Sequence, residues 1–174
     1  MRIYLIGYMG SGKTSVGKRL ASRLEYSFLD LDRVIEEDQQ QTVTEIFAQK
    51  GEDNFRSLER FALHQTFDME NVVVSTGGGT PIFFDNMDMM NAKGLCVYLQ
   101  ANPSVLLSRL IPNQQSRPLI ASLGKEELYE FIKEQLTKRA PFYEQAELHI
   151  EARDLTPAIL YNQVINWMKN QSRY

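Results

Sequence analysis

The residues best suited to chemistry lie near the N-terminus, where Gly7-Tyr8-Met9-Gly10-Ser11-Gly12-Lys13-Thr14 follows an apolar run and precedes a helical pattern. This is the phosphate-binding P-loop pattern in the strand-to-helix context that gives it meaning. Its glycines let backbone N–H groups turn inward around phosphates, and a helix beginning near Lys13 aims the positive end of its dipole at them. Lys13 then reaches the β- and γ-phosphates, where it neutralises the charge that develops during transfer, and the Thr14 hydroxyl ligates Mg2+. Gly10, Ser11, Gly12, Lys13, Thr14 and Ser15 are the nucleotide-binding candidates, with Lys13 also catalytic.

Three further groups could complete a phosphotransfer site. Phe28-Leu29-Asp30-Leu31-Asp32 ends a short β-rich run, and if the strand continues through it, Asp30 and Asp32 project to the same side. Beside a Mg2+-bound triphosphate two carboxylates divide the labour: Asp30 orients metal-bound water, and Asp32 accepts the proton of the attacking hydroxyl. Asp32 is equally suited to capping a helix over Arg33–Gln40, and the two roles are compatible. Gly77-Gly78-Gly79 follows the apolar Val72-Val73-Val74. Such a triplet is either a flexible turn or a loop whose backbone must come close to a ligand. Arg56 stands three residues before Glu59 on one helical face, a spacing that can hold the guanidinium ready for bidentate recognition of a carboxylate. Arg139, in Thr137-Lys138-Arg139-Ala140-Pro141-Phe142-Tyr143, is a second such cation. Taken singly, each arginine also fits an ordinary surface ion pair.

These residues need a frame that brings them together. Ile3–Ile6, Ser27–Asp30, Val72–Ser75, Leu95–Leu99 and Leu148–Ile150 read as strands alternating with helical segments. That alternation implies a parallel sheet covered on both faces, with ligands at the carboxyl ends of its strands. A capping box, Thr42-Val43-Thr44-Glu45, starts a short helix that stops at Gly51. A second helix over Glu52–Met69 carries Phe55, Leu58, Phe61, Ala62 and Gln65 on its core-facing side. Residues 33–61 thus form a helical insertion between the second and third strands, suited to be one wall of a substrate pocket. Across Ile111–Gly124 (111–124), Pro, Asn, Gln, Ser and Gly replace any periodicity, and a loop of that length reads as a mobile lid.

Composition narrows the class. With 174 residues, 43% of them hydrophobic, the chain builds one domain, 1–174. A net charge of −3 with scattered basic residues argues against a nucleic-acid stripe or a polybasic membrane patch. No stretch approaches the ~18 apolar residues of a membrane span, and no signal-peptide pattern precedes Ile3, so a cytoplasmic protein is expected. The one cysteine, Cys96, lies in a buried-strand pattern and reads as a packed thiol. His64 and His149 read as helix surface and strand edge.

In their order along the chain, the P-loop, Asp30-Leu31-Asp32, Phe55-Arg56 with Glu59, Gly77-Gly78-Gly79, Arg117-Pro118-Leu119 and Lys138-Arg139-Ala140-Pro141-Phe142-Tyr143 resemble shikimate kinase over essentially the whole chain. The resemblance implies an α/β fold of the P-loop nucleoside monophosphate kinase-like type: a five-stranded parallel sheet flanked by helices, with a helical substrate-binding insertion and a lid. It implies Mg·ATP as donor and the 3-hydroxyl of shikimate as acceptor, on the route to aromatic amino acids, in a monomer that needs neither nucleic acid nor membrane. Asp32, Arg56, Gly77, Gly78, Gly79 and Arg139 would meet shikimate, and Arg117 in the lid would reach the phosphates as a catalytic residue. Arg109 would flank the adenine, with Arg153 in the adenine loop, and Val43, Phe47, Phe55, Pro118 and Leu119 would form the apolar pocket wall. The adenine loop departs from the family pattern: Ile150 is followed by Glu151 rather than Asp, and the following proline is Pro157. A gluconate or nucleoside monophosphate kinase of the same architecture is the nearest rival, but it has no need of the Arg56 and Arg139 pair. A nucleotide-driven switch would need a water-positioning residue and no acceptor pocket.

Overall fold

The computed structural model describes residues 1–116 and 120–171. Five strands form one sheet: β1 (Arg2–Ile6), β2 (Ser27–Asp30), β3 (Val72–Ser75), β4 (Leu95–Gln100) and β5 (Leu148–Glu151). Their spatial order is β2-β3-β1-β4-β5, and every pairing is parallel. Alternation along each strand divides the core into two layers. Ile3, Leu5, Val73 and Val97 face one side and pack with Val16 and Leu20 of helix α1 (Lys13–Leu24) and Leu160 of helix α7 (Pro157–Gln171). Tyr4, Ile6, Val72, Val74 and Cys96 face the other. They are covered by helices α2 (Leu31–Gln39), α3 (Val43–Gln65) and α4 (Asn86–Lys93). Cys96 is fully buried, and burial pushes its thiol up to about 12, as a packed, unreactive thiol requires.

The order of strands decides where a ligand can sit. From β1 the chain moves to one edge of the sheet, and from β3 it crosses to β4 on the other side. The loops after β1 and β3 therefore leave neighbouring strands in divergent directions and open a crevice between them. The first of these loops is the P-loop and the second contains the three glycines.

Several boundaries differ from the sequence expectation. Strand β2 stops at Asp30 and α2 begins at Leu31, so Asp30 occupies the cap position and Asp32 sits in the first helical turn instead of on the strand. The Thr42 capping box is present, and the helix it starts breaks at Gly51 (φ 79°) before resuming, so α3 is a kinked pair of the two expected helices. Only glycine takes that left-handed backbone readily. The second segment ends at Gln65 and passes into a 3-10 turn, Thr66–Asp68, short of Met69. Its core stripe is Phe55, Ala62 and Leu63, whereas Phe61 is 62% exposed. Leu58, Phe61 and Gln65 lie on the flank that faces Val34 and Ile35 of α2. His64 is half-buried against the ring of Phe67, 4.9 Å away, instead of lying on the helix surface. His149 is exposed on the edge strand β5, as expected.

Helix α5 (Pro103–Leu110) leads into a 3-10 segment, Ile111–Ser116, where an unstructured loop was expected. Gln114 donates to the carbonyls of Ile120 and Leu123 at 2.6 and 2.8 Å, and Ile120 is fully buried. Helix α6 (Lys125–Tyr143) follows and returns the chain to β5. No described helix is long and apolar enough to cross a membrane.

Candidate functional site

Two cavities open side by side at the carboxyl ends of β1, β2 and β3. The first, about 310 Å³, is walled by the P-loop from Met9 to Ser15, by Asp30 and Asp32, and by Ser75 to Gly78. Gly10 and Gly12 have φ of 81° and 101°, which lets the loop curl back on itself before α1. Helix α1 starts at Lys13 with no side-chain cap and no acidic residue in its first turn, leaving its N–H groups open to an anion. Lys13 is 8% exposed, and its Nζ donates to the carbonyls of Gly7 and Tyr8 at 2.7 and 3.0 Å. The Thr14 hydroxyl donates to Asp30 Oδ2 at 2.7 Å and lies 3.3 Å from the Ser75 hydroxyl. Thr14, Asp30 and Ser75 thus present hard oxygen donors in one place, a set that suits a cation like Mg2+ held partly through water. No group of three or more His, Cys, Asp or Glu residues that could cage a metal exists among the described residues.

The second cavity, about 380 Å³, lies beyond Asp32 and mixes apolar with charged walls. Val43, Phe47 and Phe55 supply the apolar side expected of them, and Arg56, Glu59, Gly77 to Gly79 and Arg139 supply the polar one. Arg56 is no surface ion pair: it is 8% exposed and held from several directions. Its Nη1 donates to Glu59 Oε2 at 2.9 Å, and its Nε and Nη2 donate to Glu52 Oε1 at 3.2 and 2.9 Å. The Phe83 ring centroid lies 4.3 Å from its guanidinium carbon. Three of the five guanidinium N–H groups are thereby engaged, and the fork is fixed with donors to spare. Glu59 is itself 1% exposed and also accepts from the Thr80 hydroxyl at 2.6 Å. Arg139 donates to the Gly78 carbonyl at 3.2 Å and to Gln135 at 3.1 Å, with the Tyr8 ring 5.0 Å from its guanidinium carbon.

Close approach is what the three glycines provide. None of them has a positive φ, so left-handed backbone is not what these glycines are needed for. A Cβ on Gly79 would lie 2.5 Å from Arg56 Nη1, and one on Gly77 would collide with Glu59 Oε1. The glycine loop lies directly on the buried Arg56–Glu59 pair.

Asp32 belongs to the walls of both cavities. Burial pushes its carboxyl up to about 6, assisted by the negative charges of Glu59, Asp30 and Glu36 and opposed by Lys13. A carboxylate raised this far is a better proton acceptor than an exposed one while remaining ionised near neutrality.

Sequence reasoning anticipated the convergence of Lys13, Thr14, Asp30, Asp32, Arg56, Gly77 to Gly79 and Arg139. Arg109 is nearby: it donates to the carbonyls of Gly10 and Ser11 at 3.3 and 3.2 Å and to that of Ala152 at 2.7 Å, joining the P-loop to the loop after β5. Ser15 is exposed in the first turn of α1, and Arg153 is exposed beside Ala152. The expected Arg117, Pro118 and Leu119 contacts lie outside the described residues. Sequence reasoning missed Glu52, Thr80, Phe83, Ser75 and Tyr143. The spacing of Glu52 four residues before Arg56 could have pointed to it, whereas Phe83 and Tyr143 reach the site only through the fold.

Residues 9–169 match the model of the shikimate kinase family. A shikimate kinase of Phocaeicola vulgatus is 52% identical over 154 residues, covering 88% of this chain and 88% of that one. A shikimate kinase structure from Bacteroides thetaiotaomicron is similar with a TM-score of 0.88 at 44% identity, covering 100% of this chain and 99% of the other. The shikimate kinase from Acinetobacter baumannii in complex with shikimate has the same TM-score, 0.88, at 32% identity, covering 98% of this chain and 93% of the other.

Proposed function

The chain belongs to the shikimate kinase family, and from that premise we propose how its own residues carry the family's reaction. The γ-phosphate of ATP is transferred to the 3-hydroxyl of shikimate, giving shikimate 3-phosphate and ADP on the route to chorismate and the aromatic amino acids. ATP enters the P-loop cavity, where the open N–H groups of α1 and the Lys13 ammonium meet its phosphates. Lys13 exchanges its bonds to the Gly7 and Tyr8 carbonyls for phosphate oxygens. Thr14 and, through water, Asp30 would hold Mg2+, which would supply neutralisation of phosphate charge.

Shikimate takes the second cavity. Its carboxylate meets the spare donors of Arg56 and Arg139, its ring lies against Val43, Phe47 and Phe55, and its hydroxyls reach the backbone of Gly77 to Gly79. Asp32 accepts the proton of the attacking 3-hydroxyl and holds that oxygen toward the phosphate. Residues 33–61 serve as the substrate-binding insertion. Residues 111–124 serve as a lid that brings Arg117 onto the phosphates and excludes water that would otherwise hydrolyse ATP. Arg109 and Arg153 border the adenine. A cytoplasmic monomer acting on these two small molecules belongs to the same reading, and the scattered basic residues support its having neither a nucleic-acid stripe nor a polybasic membrane patch.

One observation carries the assignment: Asp32 lines both the P-loop cavity and the cavity that contains Arg56 and Arg139. Release of ADP should follow shikimate, with gluconate and nucleoside monophosphates inactive and quinate weak. Equal turnover with gluconate would refute the acceptor.

A further inference from the structure

Tyr143 ends α6, and none of the roles above uses it. Its side chain is fully buried, its ring centroid lies 5.1 Å from that of Tyr98 in β4, and its hydroxyl donates to the Gly78 carbonyl at 2.5 Å. Arg139, one turn earlier on the same helical face, donates to the same carbonyl at 3.2 Å. One oxygen in the middle of the glycine loop is therefore gripped by two side chains of α6. Gly78 is also tightly placed, since a Cβ there would lie 3.3 Å from the Met9 nitrogen and 3.4 Å from Arg139 Nη1. The loop is wedged between the P-loop and α6.

The peptide plane turns this grip into an orientation. The Gly78–Gly79 bond is trans, so the Gly79 N–H points opposite to the Gly78 carbonyl. The carbonyl accepts from Tyr143 and from Arg139, so the Gly79 N–H, on the opposite side of the peptide, points away from the Tyr143 hydroxyl, and Gly79 itself lines the acceptor cavity. A peptide between two glycines meets little steric resistance to flipping, because glycine accepts both signs of φ. A flipped peptide would offer a carbonyl oxygen where an acceptor hydroxyl or carboxylate needs a donor. Burial pushes the Tyr143 hydroxyl up to about 12, which keeps it protonated and able to donate throughout the neutral range.

We propose that Tyr143 is a positioning residue for the acceptor: by holding the Gly78 carbonyl it locks the Gly78–Gly79 peptide with the Gly79 N–H directed at shikimate. The proposal rests on the acceptor assignment above and adds to it a residue that touches no substrate.

Tyr143→Phe tests it, because the ring and its packing on Tyr98 are kept and only the hydroxyl is lost. Steady-state kinetics with each substrate varied in turn should show KM for shikimate raised by about tenfold, the scale of one buried hydrogen bond, with KM for ATP within about twofold. A lowered Tm with both KM values unchanged would mean a purely structural role and would overturn the proposal. The parent protein supplies a second measurement that does not depend on the variant folding. Amide hydrogen exchange at Gly79 should slow by about tenfold or more when shikimate is added, and unchanged exchange would overturn the proposal. A parent enzyme that does not turn over shikimate would sink the acceptor assignment itself. Normal parental turnover with unaltered Tyr143→Phe kinetics would sink only the role of Tyr143.

Discussion

Replacing Asp32 by Asn should make this protein inactive and, above neutral pH, more stable. The reason lies in its surroundings: burial and the charges of Glu59, Asp30 and Glu36 raise the carboxyl from 3.8 to about 6, against the pull of Lys13. A displacement of that size corresponds to about 3 kcal/mol. Because the folded-state value exceeds the unfolded one, the native state binds the proton more tightly. The favourable contribution is full below about pH 4 and is lost as pH rises through 6. Asn cannot ionise, so the stability gap between variant and parent should open from about pH 4 and level off near pH 7 at up to about 3 kcal/mol, with about half of it present at pH 5. Urea unfolding of both proteins at pH 5, 6 and 8 measures this gap, and effects of other titrating groups largely cancel in the difference. Turnover should fall by about 10²- to 10⁴-fold, the usual contribution of a general base, and in the parent kcat/KM for shikimate should rise with an apparent pKa near 6. A gap that does not change with pH would show that Asp32 titrates as an ordinary carboxyl. An active variant would remove it from the proton transfer.

Other substitutions probe the acceptor side and the lid. Gly79→Ala places a methyl group 2.5 Å from Arg56 Nη1, so the guanidinium must move and KM for shikimate should rise by about a hundredfold, while isothermal titration with ATP stays unchanged. An unaltered shikimate KM would show that Arg56 does not bind it. Arg56→Lys and Arg139→Lys keep the charge and lose the planar fork, and each should weaken shikimate by about tenfold or more. Their losses should shrink with an analogue lacking the carboxylate, and equal losses for both compounds would assign these arginines to structure. For residues 111–124, hydrogen exchange should slow when nucleotide and shikimate are both present, and Arg117→Ala should lower kcat more than it weakens ATP binding. Equal protection with and without ligands would leave no lid.

Short-range features of this protein were legible in its sequence because their causes are short-range. The P-loop spacing, the Thr42–Glu45 capping box and the break at Gly51 depend on backbone geometry within a few residues, and the five strands are β-rich runs whose burial needs no knowledge of their partners. The Arg56–Glu59 pair was visible for the same reason, since a helix brings residues three apart together. Tertiary structure decided the rest. Phe61 shares the periodicity of its neighbours, yet it is exposed, because which edge of an apolar stripe faces the sheet depends on where α2 lies. Asp32 was expected on a strand and stands in a helix, since the β2 to α2 boundary is set by where the sheet ends, yet it reaches the same cavity. That the side-chain-free glycines make room for a buried ion pair could be seen only from what lies against them, namely Arg56 and Glu59 from a separate helix. The grip of Tyr143 on Gly78 spans 65 residues of chain, and the raised carboxyl of Asp32 is a sum of burial and charges from its own helix and from three other elements. Periodicity tells which face of an element is apolar, but only packing tells which atoms of distant elements share a low-dielectric space, and the chemistry of this site resides in that sharing.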